Sequence, residues 1–126
     1  ASGGELSRVM LALRCVLSDT DTVSTMIFDE IDTGVSGRAA QKIAYKMHEI
    51  AFSKQVLCVT HLAQIAVYGN NHLLIEKNTG EDNTYTSVRS LDENERINEI
   101  ARIIGGDVIT EKTLSSAEEL ISYAKN

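Results

Sequence analysis

Along this chain, stretches with an apolar residue every three or four positions alternate with short runs that are apolar throughout. Leu6, Val9, Met10, Leu13, Val16 and Leu17 recur at helical spacing, and Ser2 with Glu5 three residues later forms a capping box ahead of them. The spacing predicts a first helix with that stripe turned inward. Val23 to Asp29 then reads as a strand. After a loop around Thr33 to Gly37, the positions Ala40, Ile43, Ala44, Met47, Ile50 and Ala51 give a second amphipathic helix, and Gln55 to Thr60 a second strand. Two short, continuously apolar strands joined through a helix predict a βαβ unit with a buried parallel sheet.

The second half changes pattern. A short helix from Leu62 to Tyr68 stops at Gly69, and His72 to Lys77 and Thr84 to Leu91 flank Asn78-Thr79-Gly80-Glu81-Asp82-Asn83, whose turn-forming residues predict an antiparallel hairpin. Asp92 with Glu95 starts a helix that faces Ile97, Ile100, Ala101 and Ile104 inward before Gly105-Gly106 ends it. Leu114, Ala117, Leu120, Ile121 and Ala124 mark a last helix. The expected class is therefore α/β over residues 1–126 as a single domain: mainly parallel sheet with flanking helices, then a β-hairpin and two C-terminal helices.

In such sheets ligands gather at the carboxyl ends of the strands, which here carry Asp29, Glu30 and His61. Asp29 and Glu30 form an acidic pair suited to a Mg²⁺ ion and an attacking water. Adjacent residues on a strand point to opposite faces, so the two acids can divide the labour. At the start of the first helix, Ser2-Gly3-Gly4-Glu5 offers a hydroxyl and bare backbone N–H groups where the helix dipole favours a phosphate. As plain structure, the same residues would be a helix cap and a solvated acidic loop. The two consecutive glycines point beyond a cap, because glycine serves where a ligand approaches the backbone closely. His48 and His72 read as structural, and Arg8, Arg14 and Arg38 as solvated helix faces.

Taken in this order, the motifs resemble the ABC-type ATPases. Ser2-Gly3-Gly4-Glu5 is similar to their signature motif, Met26 to Glu30 to their Walker B strand, and Gln55-Val56-Leu57-Cys58-Val59-Thr60-His61 to the strand carrying their switch histidine. Within the superfamily the wording is nearest to SMC-like members that act in bacterial DNA double-strand break repair and recombination. The resemblance implies that Glu30 orients or deprotonates the attacking water, that His61 contacts the γ-phosphate, and that Asp29 holds Mg²⁺, through water. It also implies that Ser2, Gly3, Gly4 and Glu5 contact ATP held by a second head. Asp32, Thr33, Gly34, Val35 and Ser36 match the D-loop, with Ser36 where most ABC proteins have aspartate.

No Gly-x-x-x-x-Gly-Lys-Ser/Thr occurs in these 126 residues. The glutamine loop and a long coiled coil do not occur either. The resemblance thus implies the C-terminal half of a split ATPase head, with ATP and Mg²⁺ as cofactors and two partners: its own N-terminal Walker A half and a second head in a homodimer. By itself the segment should not hydrolyse ATP. The alternative is a non-enzymatic module keeping the fold as an assembly surface, against which stands Glu30, a carboxylate such a module need not keep.

Charge narrows the partners. Twelve Lys and Arg against 18 acids give a net −6, with no basic cluster to grip a phosphate backbone, so DNA is expected to be reached through the complete protein. No apolar run approaches the roughly 18 residues of a membrane span and no leader pattern opens the sequence. A membrane partner is not expected and the cytoplasm is, with nucleoid association implied by the resemblance. Cys15 and Cys58 sit among apolar neighbours and read as small core residues.

Overall fold

The computed structural model describes residues 2–17, 20, 22–80 and 83–126, which fall into two compact units, residues 1–68 and 69–124. The first unit runs α1 (Gly3–Leu17), β1 (Thr25–Phe28), α2 (Gly37–Ala51), β2 (Gln55–Cys58) and the short α3 (Ala63–Ala66). The second runs β3 (Leu73–Thr79), β4 (Thr84–Ser90), α4 (Glu93–Gly105) and α5 (Glu111–Lys125).

In the first unit β1 and β2 pair in parallel, Thr25 opposite Gln55 and Phe28 opposite Cys58, joined through α2. This is the expected βαβ unit, with both strands shorter than their apolar runs. Met26 and Phe28 on β1 meet Ala40, Ala44, Met47 and Ile50 on α2, and Leu11, Ile31 and Ile65 complete the core. The buried face of α2 is the one its periodicity gave. Cys15 and Cys58 are free thiols packed against this core, as expected.

α1 departs from expectation. Its stripe Leu6, Val9, Met10, Leu13, Val16 and Leu17 is exposed, whereas Gly4 and Leu11 are buried and Ser7, Arg8 and Cys15 half-buried. The inward face therefore reads Gly4, Ser7, Arg8, Leu11, Cys15, a helical stripe with polar residues at its centre. Hydrophobic periodicity selects the greasier face, and here that face is not the one this unit covers. The sheet is similar: Ile27 and Leu57 lie exposed on the side away from α2, although parallel strands ordinarily bury both faces.

The second unit holds the antiparallel hairpin, Leu73 opposite Ser90 and Thr79 opposite Thr84. Its expected turn includes Glu81 and Asp82, which lie outside the described residues. As many strands lie in the hairpin as in the parallel pair, so the sheet is less dominantly parallel than expected. Asp92 caps α4 in a full box with Glu95, and Gly106, at φ 79°, takes the left-handed turn that ends the helix. Ile100 and Ala101 are buried as the period requires, but Ile104 in the last turn is exposed. Ala117 and Ile121 are the buried positions of α5.

Candidate functional site

β1 ends at Phe28, so Asp29 and Glu30 stand in the turn after the strand and not in it. Strand alternation thus does not separate their side chains, as the sequence had suggested. Glu30 adopts φ 57°, the left-handed region, the lone non-glycine residue to do so among those described. Such a conformation costs a residue with a Cβ roughly 1–2 kcal/mol and persists where the surroundings impose it. The Glu30 N–H donates to Asp29 Oδ1 at 2.9 Å. Both carboxylates are exposed.

Every carbonyl of this turn is engaged. Glu30 O accepts the Thr33 N–H at 3.1 Å, and Asp32 O the Val35 N–H at 3.2 Å. The remaining three are served from α1: Ser7 Oγ donates to Asp29 O at 2.9 Å, and Arg8 Nη1 to Thr33 O at 2.8 Å and Ile31 O at 3.3 Å. Arg8 is therefore not the solvated helix residue that the sequence suggested. A Cβ on Gly4 would lie 2.8 Å from Glu30 O and 2.9 Å from Arg8 Nη1 and Thr33 Cβ, so glycine lets the helix start close onto the turn. A Cβ on Gly3 would collide with the Glu30 carboxylate.

The second strand brings its end to the same place. Val59 N–H donates to Phe28 O at 2.9 Å, continuing the parallel ladder and setting Thr60 and His61 beside Asp32. One oxygen of Asp32, Oδ2, accepts from Thr60 Oγ1 at 2.6 Å and from the His61 N–H at 2.9 Å, and His61 Nδ1 lies 3.0 Å from it. The Asp32 side chain is 4% exposed and the His61 ring 75% exposed. Burial alone would raise the Asp32 carboxyl, but the hydrogen bonds from Thr60 and the His61 backbone, with the imidazole nearby, more than offset it and hold it below its ordinary value. Burial, then the charges of Asp32 and Asp29, push the neighbouring Cys58 thiol up to about 12, which keeps it inert.

The other expected site residues fall on the same edge. Ser2 opens α1, its Oγ accepting the Glu5 N–H at 3.3 Å while its own N–H donates to Glu5 Oε2 at 3.0 Å, the predicted box. Gly3 and Gly4 follow in the first helical turn, whose N–H groups have no helical acceptor. Thr33 and Gly34 are exposed, Val35 is half-buried, and Ser36 is the N-cap of α2 without a side-chain cap bond. Gly4 closes onto Glu30, and Asp32 onto His61. Among the described residues no group of three or more His, Cys, Asp or Glu could hold a metal by itself. Asp29 nevertheless offers an outward carboxylate oxygen, which suits a Mg²⁺ ion held mostly by water and a substrate's phosphates.

Three residues with structural parts in the site were missed as such from sequence: Ser7, Arg8 and Thr60. The spacing Gly4, Ser7, Arg8, Leu11 was the available signal, because it is one helical face with hydrogen-bonding residues in its middle.

No protein-family model matches the chain. It is 48% identical over 124 residues to the DNA repair protein RecN of Bacillus subtilis strain 168, a match covering 98% of the chain and 22% of that relative. RecN of Treponema pallidum strain Nichols is 45% identical over 121 residues, 96% of the chain and 21% of the relative. Haemophilus influenzae RecN is 42% identical over the same length. This chain is homologous to a segment of RecN. It spans about a fifth of the length of the RecN relatives it matches, and the RecN likeness runs through both units. In structure the chain is similar to a solved SMC ATPase chain from work on ATP-driven dimerization and DNA-stimulated activation of SMC ATPases. The TM-score is 0.60 at 18% identity, over 86% of this chain and 65% of that one, which shows an SMC ATPase-like α/β fold. No described helix is long and apolar enough to cross a membrane.

Proposed function

We propose that this segment is the C-terminal half of a RecN-type, SMC-like ATPase head that acts in bacterial DNA double-strand break repair and recombination. It would supply the signature, Walker B, D-loop and switch-histidine elements of an ATP site shared between two heads. The observation that carries the reading is the strained Glu30 turn, held between the start of α1 and the Asp32–His61 pair, at the carboxyl end of a parallel strand.

In this reading Asp29 holds water molecules of a Mg²⁺ shell, and the ion neutralises phosphate charge when bound. Glu30 takes a proton from the attacking water, a contribution of roughly 10²–10⁴ in rate. His61, fixed through Nδ1 by Asp32, donates from Nε2 to a terminal phosphate oxygen and so distinguishes ATP from ADP. Ser2, Gly3 and Gly4 contact nucleotide bound by the second head, with Glu5 closing the helix start behind them. Within Asp32 to Ser36, Asp32 anchors the histidine and Ser36 faces the partner head.

The Walker A half is the natural cover for the bare side of the β1–β2 pair and the outer stripe of α1, since both are apolar and exposed in this unit. Alone, the segment would neither bind Mg·ATP tightly nor turn it over. DNA would be engaged by other parts of the complete protein, which would work in the cytoplasm at the nucleoid.

Glu30→Gln in the complete protein tests the reading. ATP binding should survive while turnover falls by about two orders of magnitude or more. Unchanged turnover would place the base elsewhere and favour a non-enzymatic assembly module.

A further inference from the structure

We propose that Ser7 and Arg8 are positioning residues for the Glu30 turn, and that through them the helix start serving one nucleotide is mechanically tied to the carboxylate serving another. The inference rests on the shared-site reading above, in which Ser2-Gly3-Gly4 acts on the second head's nucleotide and Glu30 on its own.

The argument begins with the turn's hydrogen bonds. A left-handed residue at Glu30 breaks the run of regular backbone, and of the carbonyls of residues 29–33 only those of Glu30 and Asp32 accept from nearby backbone N–H groups, of Thr33 and Val35. Asp29, Ile31 and Thr33 carbonyls need donors from elsewhere, and all three receive them from two consecutive residues of α1. The Arg8 guanidinium is suited to this because its planar array of donors reaches two carbonyls from one nitrogen without deprotonating. Gly4 lies one helical turn before Ser7 and Arg8 on the same face, and its missing Cβ is what lets the first turn of α1 approach Glu30 O. Any rotation of α1 that moves Ser2-Gly3-Gly4 therefore pulls on the carbonyls flanking Glu30. In sequence these donors and carbonyls lie 22 to 25 residues apart; the fold joins them in one block.

The test uses the complete protein. Arg8→Ala should lower kcat by about 10- to 100-fold, the scale of a small misplacement of a catalytic group, with KM for ATP and ATP-dependent head pairing nearly unchanged. Arg8→Lys, which presents a point charge in place of the fork, should fall between. Ser7→Ala should lower kcat more modestly, and Ser7→Thr, which keeps the hydroxyl, should restore it. Because the pair acts through Glu30, Arg8→Ala added to Glu30→Gln should slow turnover little further. A packing role alone would not give that non-additivity. Full kcat in Arg8→Ala, or a second full loss when it is combined with Glu30→Gln, would overturn the proposal while leaving the ATPase reading intact. Should Arg8→Ala fail to fold, the Ser7→Ala and Ser7→Thr pair decides by the same criteria. If Glu30→Gln itself turns over normally, the functional reading fails and this inference with it.

Discussion

Asp32 gathers both sides of the site on one atom: the Thr60 hydroxyl and the His61 amide donate to Oδ2, and the His61 ring lies 3.0 Å from it. Removing the carboxylate takes the acceptor from the Thr60 hydroxyl and the His61 amide, and an unsatisfied buried donor costs roughly 1–3 kcal/mol. Asp32→Ala should therefore lower unfolding stability by about that amount and reduce turnover in the complete protein, because His61 loses its anchor. Urea unfolding and steady-state ATPase rates check the two effects. The sign with pH follows from the depressed carboxyl: its contribution is present above the unfolded value of 3.8 and is lost as pH falls through the lower folded value. Below pH 4 the gap between parent and variant should narrow. A gap that widens in acid would show that the carboxylate is not the stabilising form.

Among the elements, α2 was legible because one face is both apolar and covered, and α4 because its box and its terminal glycines are written in the chain. α1 was not. Its greasiest face is exposed in this unit, and the inner face Gly4, Ser7, Arg8, Leu11 carries polar residues that hydrophobic periodicity passes over. The site divided the same way: Asp29, Glu30 and His61 could be placed at strand ends from pattern alone, while the left-handed turn and the Asp32–His61 pair depend on contacts far apart in sequence. Leu11, 4% exposed, and Leu13, 50% exposed, make the correction on α1 measurable. In this 126-residue chain, Leu11→Ala should cost roughly 2–5 kcal/mol and Leu13→Ala within about 0.5 kcal/mol, by urea denaturation. The reverse order would restore the periodicity-based face. In the second unit, burial, then the Arg96 charge, lowers the His72 pKa against a smaller opposing pull from Glu99. A group depressed in this way stabilises the fold above its unfolded pKa of about 6.5, and that stability is lost as pH falls below it. Thermal unfolding between pH 8 and 5 should show a decline that His72→Gln flattens; parallel curves would remove His72 from the account.

At the scale of the molecule, a segment covering about a fifth of its RecN relatives carries the Asp29-Glu30 turn and the Ser2-Gly3-Gly4 helix start, yet its sequence holds no Gly-x-x-x-x-Gly-Lys-Ser/Thr. The shared-site reading joins these facts, since the two features would serve different nucleotides. Its central claim is most directly tested by mixing two complete proteins, one Ser2→Arg and the other lacking its Walker A lysine, and measuring ATPase activity of the exchanged dimers. Ser2→Arg should fill the space intended for the terminal phosphate, so each parent is nearly inactive. In a mixed dimer one site combines both sound halves and the other both defective ones, and the account predicts that ATPase activity reappears on mixing. A mixture that exchanges subunits freely and stays as inactive as its parents would contradict it.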